Sequence, residues 1–246
     1  HNCLVGSEMC IRDSSSGSVT NSDISVNCNG IDIYSLKSVG QLDYHNTITG
    51  NQITTAVRTP ITVYGGGHAY ISNNELSGAG EGSGIAVFSS YAEIMDNEIG
   101  PIGGWNGLWM YGSFDVIAEN NTIFDTNREA IIAGEYGSNA PAPSAARAFL
   151  ANNTISTEPD TCTSSLHFGG QFTCPAVFAY RSGLTMYDNE IDAGSSDGIR
   201  SVGALLDIRR NTWDAAGTGA ILKHYDSGYA GDQQYGTLAF FSENIW

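Results

Sequence analysis

The chain has 246 residues, 41% of them hydrophobic, and 26 acidic against 10 basic side chains give a net charge of −16. Such an acidic surface repels phosphate backbones and anionic membranes, so nucleic acid is not an expected partner. No apolar run approaches the roughly 20 residues that span a bilayer, so the visible chain has no expected membrane span, and 30 glycines with only two lysines favour strands and turns over long helices.

At the N-terminus, residues 3–14 read CLVGSEMCIRDS, which back-translates into a sequence resembling a transposase-library sequencing adapter. The expectation is an artefactual segment over residues 1–14 and a domain over 15–246. On that reading the domain is a metagenomic fragment whose upstream sequence, a secretion signal included, has been lost. Setting the segment aside leaves Cys28, Cys162 and Cys174.

From residue 51 onward one phrase recurs: Asn, any residue, then a large apolar residue. It occurs at Asn51, Asn74, Asn97, Asn121, Asn153, Asn189, Asn211 and Asn244, with steps of 23, 23, 24, 32, 36, 22 and 33 residues. A coil of 22 to 24 residues that is sometimes lengthened is a solenoid period. Ahead of each Asn, apolar residues occupy alternate positions, as in Ala69 and Ile71, Ala92 and Ile94, Leu184 and Met186, or Leu206 and Ile208. That alternation marks a strand with one buried face. About ten residues after the Asn a second short strand follows, at residues 61–63, 85–87, 108–110, 131–133, 177–179 and 199–201, often introduced by Gly. Such strands cannot bury their apolar face alone but can when coils stack, and an Asn at the same turn of every coil can bond those above and below.

The coil phrases ISNNEL, IMDNEI, IAENNTI and MYDNEI resemble the parallel β-helix repeats of the pectin-lyase-like superfamily, over about residues 31–246. The resemblance implies an all-β fold, a right-handed parallel β-helix of about eight coils, and a secreted or cell-surface location. It leaves function open, because the superfamily holds pectate lyases, polygalacturonases, other polysaccharide lyases and adhesins. No Asp-Asp pair, Gly-His-Gly, Arg-Ile-Lys or Arg-x-Pro-x-x-Arg motif is present, and Gly67-His68-Ala69 is the nearest approach.

Candidate site residues fall into four groups. Tyr34, Tyr64, Phe88, Tyr111 and Tyr180 form one outward aromatic column beside a second with Trp109 and Phe178; these rings either stack on sugars, or stack on one another beneath loops. Two longer loops leave the wall beside that column, around residues 134–146 and 224–236. They add Tyr225 and Tyr229 to the candidate substrate contacts, with Arg181 to meet carboxylates. In a uronic-acid lyase, Lys223, His224 and Arg200 would supply the cation and the base. Glu75, Asp96 and Glu98 cluster beside the Asn row and either hold calcium, the one candidate cofactor, or stand as solvated charge. Cys162 and Cys174 bracket a loop that a disulfide could close, with two free thiols as the alternative. The expected function is a structural or adhesive module that holds polysaccharide or cell-surface glycan; the alternative is a lyase or glycoside hydrolase acting on an acidic glycan. Whether the chain is an enzyme stays open.

Overall fold

The computed structural model describes residues 9–12, 17–34, 45–113, 115–134, 146–157, 174–194, 196–214, 222–224 and 238–245, with residues 9–12 and 222–224 described by backbone alone. Among the described residues each of the first eight coils contributes three strands, one to each of three parallel sheets, and the ninth contributes two. Sheet A holds nine strands, from Met9–Arg12 through Ile85–Phe88 and Leu108–Tyr111 to Leu222–His224. Sheet B holds nine, from Ser18–Thr20 through Tyr91–Met95 to Leu238–Ser242, and sheet C eight, from Asp23–Val26 to Thr212–Asp214. Met9–Arg12, set aside above, pairs in parallel with Ile31–Tyr34.

The alternation read from the sequence is the inside–outside code of the solenoid. Ile48, Ile71, Ile94, Ala118, Leu150, Met186 and Ile208 pair in register along sheet B and are buried at 1% exposure or less. Sheet A supplies Ile31, Ile61, Ile85, Leu108, Ile131, Val177 and Ile199, and sheet C adds Ile53, Leu76, Ile99, Ile123, Ile155 and Ile191. Stacked isoleucines suit this geometry, because a β-branched side chain packs well on a pleated surface. Phe241 occupies the same column opposite Ile208 but lies on the last strand of sheet B and is 37% exposed.

Between sheets B and C the asparagines form one unbroken line. Each Nδ2 donates to the Oδ1 of the next, from Asn51 to Asn74 at 2.9 Å through to Asn211 and Asn244 at 3.2 Å. Each Oδ1 also accepts the backbone N–H of the preceding coil's Asn, and a second Nδ2 hydrogen goes to a carbonyl there, such as Ile48 O for Asn74. The turn's polar groups are therefore satisfied inside the wall, where an unpaired one would carry a full desolvation cost.

The residue before each Asn adopts a left-handed backbone, with φ between 52° and 68° at Gly50, Asn73, Asp96, Asn120, Asn152, Asp188, Arg210 and Glu243. Gly, Asn and Asp tolerate that region best, which accounts for the Asn-Asn and Asp-Asn pairs of the coil phrases. The turn between sheets A and B uses the same bend at Gly65, Ser89, Gly112, Gly134, Arg181 and Gly203.

Candidate functional site

The outward face of sheet A carries two columns in register. One runs Asp32, Thr62, Ala86, Trp109, Ile132, Phe178 and Arg200; the other runs Tyr34, Tyr64, Phe88 and Tyr111, and then Tyr180 and Val202. The expected aromatic row is thus real but divided in two. Gly134 interrupts it between Tyr111 and Tyr180, and no larger residue fits there, because a Cβ would collide with the Tyr180 carbonyl oxygen.

The N-terminal half is an accessible aromatic patch. Tyr64 stacks on Phe88 at 5.0 Å and 12°, Phe88 meets Trp109 edge-on at 5.0 Å and Tyr111 at 6.1 Å, and Tyr34 lies 6.1 Å from Tyr64. Tyr34 is 43% exposed, and the other four are half-buried. Burial raises the Tyr64 phenol above its ordinary pKa, with the Asp32 carboxylate adding to the effect. Trp105, on the turn leading into Leu108–Tyr111, extends the patch by meeting Trp109 edge-on at 5.6 Å, while the Arg128 guanidinium lies 5.8 Å from the Trp105 ring.

In the C-terminal half Phe178 and Tyr180 are only 2% and 7% exposed and form a second apolar cluster with Ile132 and Val202, flanked by Trp109. Of the two readings of the row, stacking on sugars or on one another, these two rings are its covered members, stacked at 6.4 Å and 13°. Arg181 occupies the left-handed turn and lies 5.2 Å from the Tyr180 ring.

Arg200 is also buried, and its Nε donates to Asp197 Oδ2 at 2.6 Å. A guanidinium engaged in a buried ion pair is a wall element first, because leaving either charge alone would be costly. In backbone register Lys223 pairs with Arg200 and His224 with Ser201. Tyr225, Tyr229 and Cys162 lie outside the described residues.

Two residues before each sheet A strand stands a further column, Asn29, Thr59, Ser83, Asn106, Glu129 and, past Pro175, Asp197. Glu129 and Asp197 are buried carboxyl groups, and Asn106 Nδ2 donates to Glu129 Oε2 at 3.1 Å. Neither was singled out from the sequence, nor was Trp105. The signal that could have found the carboxyl groups is the polar residue held at a fixed offset ahead of each strand.

The proposed calcium ligands separate by role. Glu75 and Glu98 are register partners on sheet C, and Gln52 Nε2 donates to Glu75 Oε2 at 3.1 Å. Asp96 is the left-handed turn residue, a position that explains an Asp without a metal. Among the described residues no group of three His, Cys, Asp or Glu side chains could hold a metal ion.

Cys28 and Cys174 are each disulfide-bonded. They precede sheet A strands five ladder steps apart, about 24 Å at about 4.8 Å per step, so they are not bonded to each other.

The class defined by this geometry is the right-handed parallel β-helix. A sequence model described as "Right handed beta helix region" matches residues 41–141. No curated protein matches the chain. Among solved structures it is similar to DFA-IIIase from Arthrobacter chlorophenolicus in complex with GF2, at 13% identity and TM-score 0.48, covering 92% of this chain and 50% of that one. It is also similar to the catalytic unit of an alpha-1,3-glucanase from Streptomyces thermodiastaticus, at 12% identity and TM-score 0.48, covering 94% and 55%. An alginate lyase from a Paenibacillus species is matched at 13% identity and TM-score 0.36, over 92% and 99%. The chain spans about half the length of the first two, and likeness at this level concerns the fold alone.

Proposed function

We propose that this β-helix is an extracellular or cell-surface glycan-binding module whose site is the accessible aromatic half of sheet A. The observation that carries the reading is the run Tyr34, Tyr64, Phe88, Trp109 and Tyr111, with Trp105 beside it. Rings repeated at the coil spacing of about 4.8 Å form one continuous aromatic surface along which a chain of sugar rings can lie, and each is held by its neighbours at little conformational cost. Replacing Trp109 or Tyr64 by Ala should weaken retention on insoluble polysaccharide at least tenfold, about 1.4 kcal/mol, with the melting temperature nearly unchanged. Undiminished retention in both variants removes the site.

A second reading, catalysis, is favoured by one observation. Glu129 and Asp197 are two buried carboxyl groups on one turn column, two ladder steps or about 9.6 Å apart along the wall. Paired carboxyl groups about 6.5 to 9.5 Å apart can divide acid and base roles in glycoside hydrolysis by inversion. Reducing sugar released from a polysaccharide, and lost in both Glu129→Gln and Asp197→Asn, would replace the binding module with an enzyme. An unsaturated product from alginate, pectate or chondroitin, lost on replacing Lys223, would point to a lyase instead.

A further inference from the structure

The outward face of sheet B, which plays no part in the aromatic site, carries a groove of about 670 Å³. Its floor and walls come from register columns. One runs Arg147, Gly183 and Leu205; the next runs Ile117, Phe149, Thr185, Asp207 and Phe240. Phe149 and Phe240 stand three ladder steps apart, about 14 Å, with Thr185 and Asp207 between them.

Gly183 is the residue the fold does not explain. Its backbone is not left-handed, and a Cβ there would meet only Arg147 Cγ at 3.7 Å, an ordinary van der Waals contact. A glycine inside a strand weakens it, and where neither backbone nor packing demands one, the missing side chain leaves room for something to approach. The same strand position carries Arg147 and Leu205 on either side, so a side chain fits the ladder well.

The groove's chemistry selects the occupant. Its cations are cancelled locally: Arg147 Nη2 donates to Asp115 Oδ2 at 2.7 Å, and Arg209 donates to both Asp207 oxygens at 2.6 and 2.7 Å, with the Tyr187 hydroxyl also donating to Asp207 at 3.1 Å. No uncompensated charge waits for an ionic ligand. The walls are Ile117, Phe149, Leu205 and Phe240, and the polar groups are the Thr185 hydroxyl and the two ion pairs, whose carboxylate oxygens can accept further hydrogen bonds. A peptide strand could not pair with the groove floor, because Arg147–Ala151, Gly183–Tyr187 and Leu205–Arg209 are hydrogen-bonded on both sides, and could add only at the rim, along the outer edge of Leu238–Ser242. The net charge of −16 disfavours an anionic membrane surface. What remains is a ligand with apolar faces and uncharged hydroxyl edges. We infer that this groove is a second, independent site for an uncharged glycan, opened by the missing side chain of Gly183.

The test uses the full chain carrying Trp109→Ala, so that failure of the sheet A site cannot be mistaken for failure here. Cellohexaose, laminarihexaose, maltohexaose and trigalacturonate are titrated by calorimetry, before and after adding Gly183→Leu. The expected result is binding of at least one neutral hexasaccharide, none of trigalacturonate, and at least a tenfold loss with Gly183→Leu at an equal or higher melting temperature. Should Gly183→Leu not fold, Phe240→Ala, at a residue 55% exposed, should give the same loss. The inference is overturned by equal binding in these variants, by binding of the charged sugar alone, or by no neutral hexasaccharide binding. It is equally overturned by a dimer in sedimentation that Gly183→Leu dissolves, since the groove would then hold a second copy of the chain.

Discussion

The turn between sheets B and C and the turn between sheets A and B make the same left-handed bend, and then diverge at the next residue. After the B–C bend comes Asn in eight successive coils; after the A–B bend come Gly66, Ser90, Ser113, Ser182 and Ala204. The Asn amide both donates to and accepts from the coil beside it, so the line is continuous. Ser90 and Ser182 spend their one hydroxyl proton on the carbonyl two residues back, at 2.8 Å each, and keep only an acceptor for the adjacent coil, whereas Ser113 turns its proton to Val87 O of the adjacent coil at 2.6 Å. A turn closed by mutual bonds cannot take an insertion without breaking them. The long stretches 135–145 and 225–237 accordingly fall between sheets A and B, and 158–173 between C and A, with none between B and C. The difference teaches why the long stretches collect around sheet A: its borders lack the continuous ladder that fixes the opposite turn.

Three measurements sharpen or break that contrast. The largest expected effect is Asn121→Ala, which strips Asn97 N and Nδ2, Ile94 O and Asn153 Oδ1 of buried partners and should cost on the order of 3 kcal/mol in denaturant unfolding. Ser113→Ala, at the matching position of the A–B turn, loses bonds to Val87 O and Tyr111 O and should cost about 1 kcal/mol. Equal losses would mean that the two turns are not different in kind. The smallest effect is a pH dependence at His68, on the outer face of sheet B. Burial, with His45 as a lesser cause, holds its pKa below the usual 6.5, outweighing Glu93 at 3.3 Å. A folded-state pKa below the unfolded one means that the unfolded chain binds more protons as pH falls through 6.5, so stability should drop there. Melting temperatures between pH 5 and 8 should decline less in His68→Gln; an identical slope would remove the assignment.

Much of this was legible before any coordinates. The Asn line and the inward columns were readable because they recur at fixed offsets, and period is what a stacked coil imposes on a sequence. The left-handed column was not, so Asp96 read only as a cation ligand or a solvated charge and not as the residue of a turn. Burial of the outward residues was not legible either. Phe178 and Phe88 look alike in sequence as outward aromatics, and only the surroundings make one covered and the other half-open. Arg200 read as a free cation because its partner, Asp197, sits in the turn and not in a strand. Gly183 escaped notice because glycine in such a chain is common and only a test of available space distinguishes it from Gly134.

The Asn line also sets how the molecule comes apart. Every bond in it joins a coil to the one above or below, and so does every strand pairing, which makes the stack behave as a one-dimensional lattice of nearest-neighbour couplings. Heat or force that opens one coil would then weaken its two neighbours first, and the opening would propagate one coil at a time. Refolding could start from any adjacent pair that registers its asparagines and spread in both directions, with each added coil closing a loop of only 22 to 36 residues.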